Sequence, residues 1–549
     1  MPRFSRAPFA AELGLVALAT LLPFEPRRPT LPLLGFEVTL LEAVAAVVLA
    51  TLLVANRREL PGLIRARPLP LLAVSAYALA HLASAAFAGD NQVLAFKFAA
   101  RMAVMAVFAW LVAASPEEAR RRALQAFVAS GALVACLAIA EGSGVRALDG
   151  VLAHFREMPF NVAGSRRATA GSEYPNQAAA CLMYALVAWA SLAQRARVWT
   201  AAGVSALLGL GLLFTYSRGA LVATLLGLLA AWLVARASSG GLARGPLLAL
   251  LALAVTAAAF AASREVFRLR LASEGTEAWY GARYEPEDAR LTLAPREARR
   301  LRVRVTNTGK KTWTRQEAFH LSYHWYHPER RRLQDGGRTR LPTDLPPGES
   351  VWLEPEVVAP DLPGRYRLVW DMVHEDTTWF SGQGVRPAIA DALVGSLGSA
   401  EPLPADRREP PPAAMGWRPG RAELWRIAIA IWAAHPVLGV GPDNFRWLYG
   451  RFAGEPFWDN RVFANSTLLE AAATTGSLGA AALALTLGAC LVVSYRRFRA
   501  VPSAARLACF GLSAAILVHG LVDYLLAFTG HYLFLGFLIG GIATGADRT

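Results

Sequence analysis

The sequence predicts a mainly α, polytopic membrane protein of about twelve transmembrane helices with an inserted extracytoplasmic β-sandwich. Three observations carry that prediction. The 549 residues are 54% hydrophobic and only 18% charged, with a mean hydropathy of +0.34, far more apolar than a soluble chain of this size. Apolar runs long enough to cross a bilayer recur towards both ends of the chain. Between them the composition turns polar and proline-rich, and apolar residues begin to alternate, as at Leu301, Val303 and Val305.

Taken in order, the expected spans lie at 8–24, 33–55, 69–88, 93–114, 120–141, 174–194, 198–217, 219–235 and 246–262, with three more at 466–494, 506–527 and 531–546. Arg3 and Arg6 ahead of the first run imitate a secretion signal, but Pro23-Phe24-Glu25-Pro26 offers no small-residue cleavage site, so the run is expected to stay as the first span. With the N-terminus in the cytoplasm, five basic clusters fall on the cytoplasmic side: Arg57-Arg58 with Arg65 and Arg67, Arg120 to Arg122, Arg195 with Arg197, Arg236 with Arg244, and Arg496-Arg497. The net charge of +15 is therefore read as an orientation signal of an inner-membrane protein, not as a nucleic-acid surface. Residues 25–32, 89–92, 142–173, 264–465 and 528–530 then face outward. The four cysteines sit in or beside apolar segments with no Cys-x-x-Cys or His/Cys pair, so neither a disulfide framework nor a metal site is expected.

The chain divides into N-terminal membrane helices (1–263), a β domain (264–394), a proline-rich linker (395–420) containing Pro410-Pro411-Pro412, a re-entering outer segment (421–465) and C-terminal membrane helices (466–549). In the β domain, strands are read from Arg290, over Leu301 to Thr306, Phe319 to Tyr326, Ser350 to Val358 and Gly364 to His374, with turns at Asn307-Thr308-Gly309 and Pro346-Pro347-Gly348. Its tryptophans, Trp325 and Trp352 among them, are expected in the core, where strand-alternating aromatics face the opposite sheet. In the re-entering segment Trp425, Ile427, Ile429 and Trp432 give a short helix an apolar side, His435-Pro436 ends it, and Gly439 with Gly441 makes a tight loop before a new helix near Asn465. That loop lacks the lysine and the strand–helix setting of a phosphate cradle.

Three short motifs recur in this order: Thr215-Tyr-Ser-Arg-Gly219 between two apolar helices, Gly439-Val-Gly-Pro-Asp-Asn-Phe445, and Asn465-Ser466 through Glu470 to Thr475-Gly-Ser-Leu-Gly479. Together they resemble the O-antigen ligase and polymerase family of bacterial envelope glycosyltransferases, from about Arg166 to the C-terminus without the insertion. The insertion, with V-T-N-T-G-K-K-T-W and P-G-R-Y-R-L-V-W, resembles the immunoglobulin-like four-tryptophan domain. The first resemblance implies a donor glycan on a polyprenyl pyrophosphate, an acceptor glycan or lipid, the bilayer as surroundings, no cofactor, and inverting transfer without a metal.

Such chemistry requires the growing charge of a departing pyrophosphate to be neutralised, and an arginine fork does so bidentately while staying protonated. Arg218, with Ser217 beside it, and Arg421 are the first candidates; Arg166, Arg167, Lys97 and Arg101 are the second. Arg218 would otherwise be a helix-end arginine reaching lipid headgroups, and Lys97 with Arg101, one turn apart, would pair with Glu37 or Glu42. The attacking hydroxyl needs a base. Where the family has a His-Asn pair this chain has Asn465-Ser466, so Asn465 stands in the histidine's place and can orient a hydroxyl or cap the helix but not take a proton. Glu470 is the first candidate base, with Glu423, Asp443, Asp459 and His435 behind it. His519 and Asp523, one turn apart in H-G-L-V-D-Y, are either a family feature or a packing pair. Two other classes fit parts of the pattern: a secondary transporter of a small anion, with Lys97, Arg101 and Asp523 as its path, and an envelope-binding module whose β domain is the working part.

Overall fold

The computed structural model describes residues 6–27, 30–33, 36–89, 91–156, 159–162, 165–238, 240–272, 279–327, 330–375, 378–381, 385–395, 417–455 and 458–543, and these are mainly helical. The helices are α1 (Arg6–Leu21), α2 (Leu40–Asn56), α3 (Leu60–Ala66), α4 (Leu69–Ala86), α5 (Gln92–Ala114), α6 (Glu117–Gly142), α7 (Asp149–Leu152), α8 (Pro175–Leu192), α9 (Val198–Phe214), α10 (Arg218–Ser238), α11 (Arg244–Ser263), α12 (Glu265–Ala272), α13 (Arg421–Ala434), α14 (Phe445–Phe452), α15 (Thr467–Ala500), α16 (Ala504–Val522) and α17 (Thr529–Ala543). Eight of them, α4, α5, α6, α8, α10, α11, α15 and α16, are long and apolar enough to cross a membrane. The pair α2 and α3, bent by 87°, makes a ninth candidate, and α1, α9 and α17 are shorter apolar helices. Every expected span thus has a helix at its place, but not each has the length of a span.

The second span was expected from residue 33, yet its helix starts at Leu40. Phe36–Thr39 instead pairs with Thr30–Leu33 as a hairpin, and Thr39 and Glu42 form a capping box that fixes the helix start. At the centre stands α8, almost wholly buried from Pro175 to Ser191, whose run of alanines lets neighbours approach closely. The same device joins α10 to α16: a Cβ on Gly227 would lie 2.7 Å from that of Ala515. Large apolar side chains such as Leu226, Leu229 and Leu233 of α10 and Leu251 and Val255 of α11 are exposed, as a lipid-facing surface demands.

The glycine motifs of the sequence meet in one structural joint. Within α15, Gly476 has φ 65° and breaks the helix, which frees backbone groups that the loop after α13 takes up: Val440 and Gly441 donate to the carbonyls of Ala473 and Thr474 (3.0 and 2.9 Å), and Ser477 donates to that of Pro436 (2.8 Å). A Cβ on Gly439 would sit 2.4 Å from the Thr474 carbonyl carbon, and one on Gly476 would sit 2.2 Å from the Val437 oxygen. G-V-G and T-G-S therefore co-occur because their backbones touch. The apolar side of α13 is Leu424, Ile427, Ala428 and Ile431, at helical spacing; the expected Ile429 and Trp432 lie on the exposed side, a correction to the sequence reading.

Two sheets share the core of the β domain. One runs in the order 330–335, 319–327, 364–374, 388–394, 290–293, antiparallel except for the last pair; the other runs 350–353, 303–307, 282–286. The expected strand from Ser350 to Val358 is two strands, split before Glu356, and the second pairs with Ala298–Arg300. Trp313, Trp325 and Trp370 are fully buried between the sheets, but Trp352 is 47% exposed beneath the Arg302 guanidinium, so it is no core residue. Residues 265–272, expected within this domain, form α12 instead. The linker proper, 396–416, lies outside the described residues.

Candidate functional site

The T-Y-S-R-G turn between α9 and α10 is the anchor of the site. Tyr216 has φ 52°, a left-handed backbone that an aromatic residue adopts only under constraint, while Ser217 N–H donates to Thr215 Oγ1 (3.2 Å) and the Ser217 carbonyl receives Leu221 N–H (3.1 Å). This sharp reversal turns two carbonyls outward. Tyr216 O accepts from Arg270 Nε (2.9 Å) and Thr215 O accepts from Arg167 Nε (3.0 Å). Arg218, the first residue of α10, donates in return to the Arg270 carbonyl near the end of α12 (3.0 Å). Arg421, the first residue of α13, completes the group, within electrostatic reach of Arg167, Arg218 and Arg270.

Four guanidinium groups thus face one another from four separate elements. All four are half-buried, and Arg421 Nε is buried without a hydrogen-bond partner. Burial first, then Arg270 and Arg421, push the Arg167 guanidinium well below its ordinary range; burial, then Arg218 and Arg421, push Arg270 down to about 10. The opposing charge is Asp523, just past α16. Arg167 Nη2 donates to Asn176 Oδ1 (3.1 Å), Asn176 Nδ2 donates to Asp523 Oδ2 (2.7 Å), and His519 Nε2 lies 3.8 Å from that same oxygen. Guanidinium groups brought together in this way suit an anion that offers several oxygens.

A buried pair holds the segment that presents Arg167. Glu141, at the end of α6, is paired with Arg156 and accepts from the backbone N–H groups of Thr169 and Ala170 (2.8 and 2.9 Å). The strand Ser165–Arg167 also pairs with Phe160–Val162, a hairpin inside what the sequence reads as an outer loop. Among the described residues no three of His, Cys, Asp and Glu come together as a metal ion would need.

Of the sequence candidates, the structure brings together Arg167, Arg218 and Arg421, with Ser217 behind them in the turn. Arg166, next to Arg167, points the other way and is tied to Asp149 through two contacts of 2.8 and 3.3 Å. Arg101 pairs with Glu42 (2.8 Å) and reaches the Ala527 carbonyl (3.4 Å), so the pairing reading holds for it; Lys97 is half-buried one turn earlier on α5. Asn465 has φ 50°, a conformation asparagine tolerates, and its carbonyl accepts from Trp425 Nε1 (3.3 Å); Ser466, at the N-cap position of α15, makes no side-chain cap. Glu470 is buried, with Oε2 accepting from Ala464 N–H (2.7 Å) and Oε1 without a partner, and the charges near it are Asp443 and Arg446, not the arginine cluster. Asp443 is itself paired with Arg446, and Asp459 with Arg418 and Arg461. Sequence reasoning missed Arg270 and Asn176: the first lay in a stretch assigned to the β domain, and the second reads as an ordinary start of a helix. The chain matches no family model and no curated protein.

Proposed function

We propose that this chain is an inverting membrane glycosyltransferase that moves a glycan from a polyprenyl pyrophosphate to an acceptor glycan or lipid on the outer side of the cytoplasmic membrane, like an O-antigen ligase or polymerase. One observation carries the reading: Arg167, Arg218, Arg270 and Arg421 converge beside the starts of α10 and α13, with Asp523 linked to Arg167 through Asn176. The acceptor oxygen forms a bond to the anomeric carbon, the bond from that carbon to the phosphate oxygen breaks, and its electron pair stays on the pyrophosphate. Charge grows on the leaving group as it departs. Donors already fixed around that position stabilise this state more than the ground state, which is how such a site accelerates transfer.

In this reading twelve spans leave both termini in the cytoplasm and the β domain outside as a sandwich that tunes acceptor access. Supporting the last point, Arg386 of the β domain pairs with Glu455 (3.0 Å) beyond α14 and stacks over Trp417 (5.0 Å). A labelling site after Gly336-Gly337 should react from outside the cell; labelling only from the cytoplasm would overturn the sidedness and the site with it. The decisive experiment is transfer by the purified protein in vesicles from an undecaprenyl-pyrophosphate-linked oligosaccharide to a lipid-anchored sugar acceptor. Product should form without added metal and be lost on changing Arg218 to Ala. Uptake of the free anion without any transfer would refute the enzyme reading in favour of a transporter.

A further inference from the structure

Resting on the transfer reaction just proposed, we infer that His519, with Asp523 beside it, is the base that takes the proton of the acceptor hydroxyl, in place of the histidine this chain lacks at Asn465. His519 lies in the last turn of α16, is only 3% exposed, and its Nε2 has no hydrogen-bond partner. A buried imidazole nitrogen without a partner is costly unless something is meant to meet it. Beside that nitrogen runs the arginine turn: a Cβ built on Gly219, the residue after Arg218, would come 4.0 Å from His519 Nε2 and 2.9 Å from Val522 Cγ2, so the start of α10 packs against this end of α16.

Asp523 Oδ2 lies 3.8 Å from Nε2, beyond hydrogen-bond length, and receives the Asn176 amide, which is bonded in turn to Arg167, so one carboxylate stands between the imidazole and the guanidinium cluster. At that distance the carboxylate leaves the Nε2 lone pair to the acceptor hydroxyl and acts on the ring by its charge. Around the ring stand Asp523 at the end of its own helix, Arg421 from α13 and His531 from α17, whose Nδ1 is likewise unpartnered. A largely apolar cavity, with His519, Asp523, Thr467 and His531 as the polar part of its lining, lies beside them. Glu470 has no comparable place, since one oxygen is committed to Ala464 and no arginine of the cluster is near. In the step, the hydroxyl proton passes to the imidazole as the oxygen bonds to the anomeric carbon and the pyrophosphate leaves with the electron pair; the imidazolium later loses its proton to water.

The test uses the full chain in vesicles, with undecaprenyl-pyrophosphate-linked oligosaccharide as donor and undecaprenyl pyrophosphate as binding probe. His519→Gln keeps the shape but cannot take a proton, so kcat should fall about a hundredfold or more, the probe should bind within about threefold of wild type, and the acid-side fall of the pH–rate profile should vanish. Asp523→Asn should move that fall to lower pH, because the carboxylate favours the protonated ring. Transfer by His519→Gln within about threefold of wild type, or an unchanged acid-side fall, would overturn the inference. The two proposals fail separately: normal probe binding by Arg421→Gln counts against the phosphate site, whatever His519→Gln does.

Discussion

Replacing Arg421 by Gln should stabilise the empty protein while nearly abolishing transfer. The side chain stands within reach of three like charges, Arg167, Arg218 and Arg270, and its Nε makes no compensating hydrogen bond. Two unit charges about 10 Å apart at an effective dielectric of about 20 repel by about 1.7 kcal/mol, and salt in the solvent roughly halves that for exposed groups. Three such pairs relieved together give a gain on the order of 2 kcal/mol, and Gln keeps most of the aliphatic stem in place. The loss lies on the other side of the balance: a charge-assisted contact that strengthens in the transition state contributes about 3 kcal/mol, or a rate factor of about a hundred to a thousand. Arg421→Lys, which keeps the charge but not the fork, should keep the lower stability and part of the rate. Melting in detergent and transfer in vesicles, measured on the same preparations, read the two quantities. An arginine that merely reached lipid headgroups would change neither, so unaltered melting together with unaltered transfer by Arg421→Gln refutes the reasoning.

Arg270→Gln should lower transfer by about tenfold to a hundredfold although no motif marks it; transfer above half of wild type would remove Arg270 from the site. Glu470→Gln should keep transfer within about threefold, because an amide oxygen still accepts from Ala464, whereas Glu470→Leu leaves that buried N–H unpaired at a cost of about 1–3 kcal/mol in stability; a dead but folded Glu470→Gln would return the base to that residue. In the β domain, burial raises the Asp371 carboxyl to about 7 against the hydrogen bonds from Ser381 and Tyr284. A raised carboxyl makes the folded form hold its proton, so this stabilisation is complete below about pH 4 and is lost as pH rises through about 7. The β domain of the full chain should therefore be cut faster by protease at pH 8 than at pH 5, and Asp371→Asn should flatten that difference; an equal pH response in the variant would count against the assignment.

Apolar length and the arginine clusters made the membrane helices legible, and His435-Pro436 and the strand Gly364–His374 were read at their observed bounds. What escaped the sequence was mostly non-local. Nothing in V-F-R-L-R-L-A says that Arg270 will meet the carbonyl of Tyr216, 54 positions earlier, since that depends on how α12 leaves the membrane helices. Arg166 and Arg167 are neighbours of one chemical type, and only the hairpin with Phe160–Val162 and the buried Glu141–Arg156 pair decide which faces the cluster. The glycines read as a tight loop also fit backbone against backbone at the break in α15, a contact that local sequence does not show. A motif can recur for packing as readily as for chemistry.

Several local rules are broken together at one place in the fold. A helix N-terminus carries a partial positive charge and favours acidic side chains, yet α10 and α13 both begin with arginine. Each should lose a few tenths to one kcal/mol by that placement alone, and each is then set against the other and against Arg167 and Arg270. Tyr216 adds a left-handed aromatic residue at the turn just before α10, of the kind that costs about 1–3 kcal/mol. Independent accidents of packing would scatter over a chain of 549 residues; these fall on one turn and the elements that touch it. Repulsion, inverted helix ends and a strained turn thus coincide where the four guanidinium groups meet, the arrangement that the proposed anion site would require. The fold maintains this arrangement at a cost to its own stability, and that cost is what a protein selected only for packing would have shed.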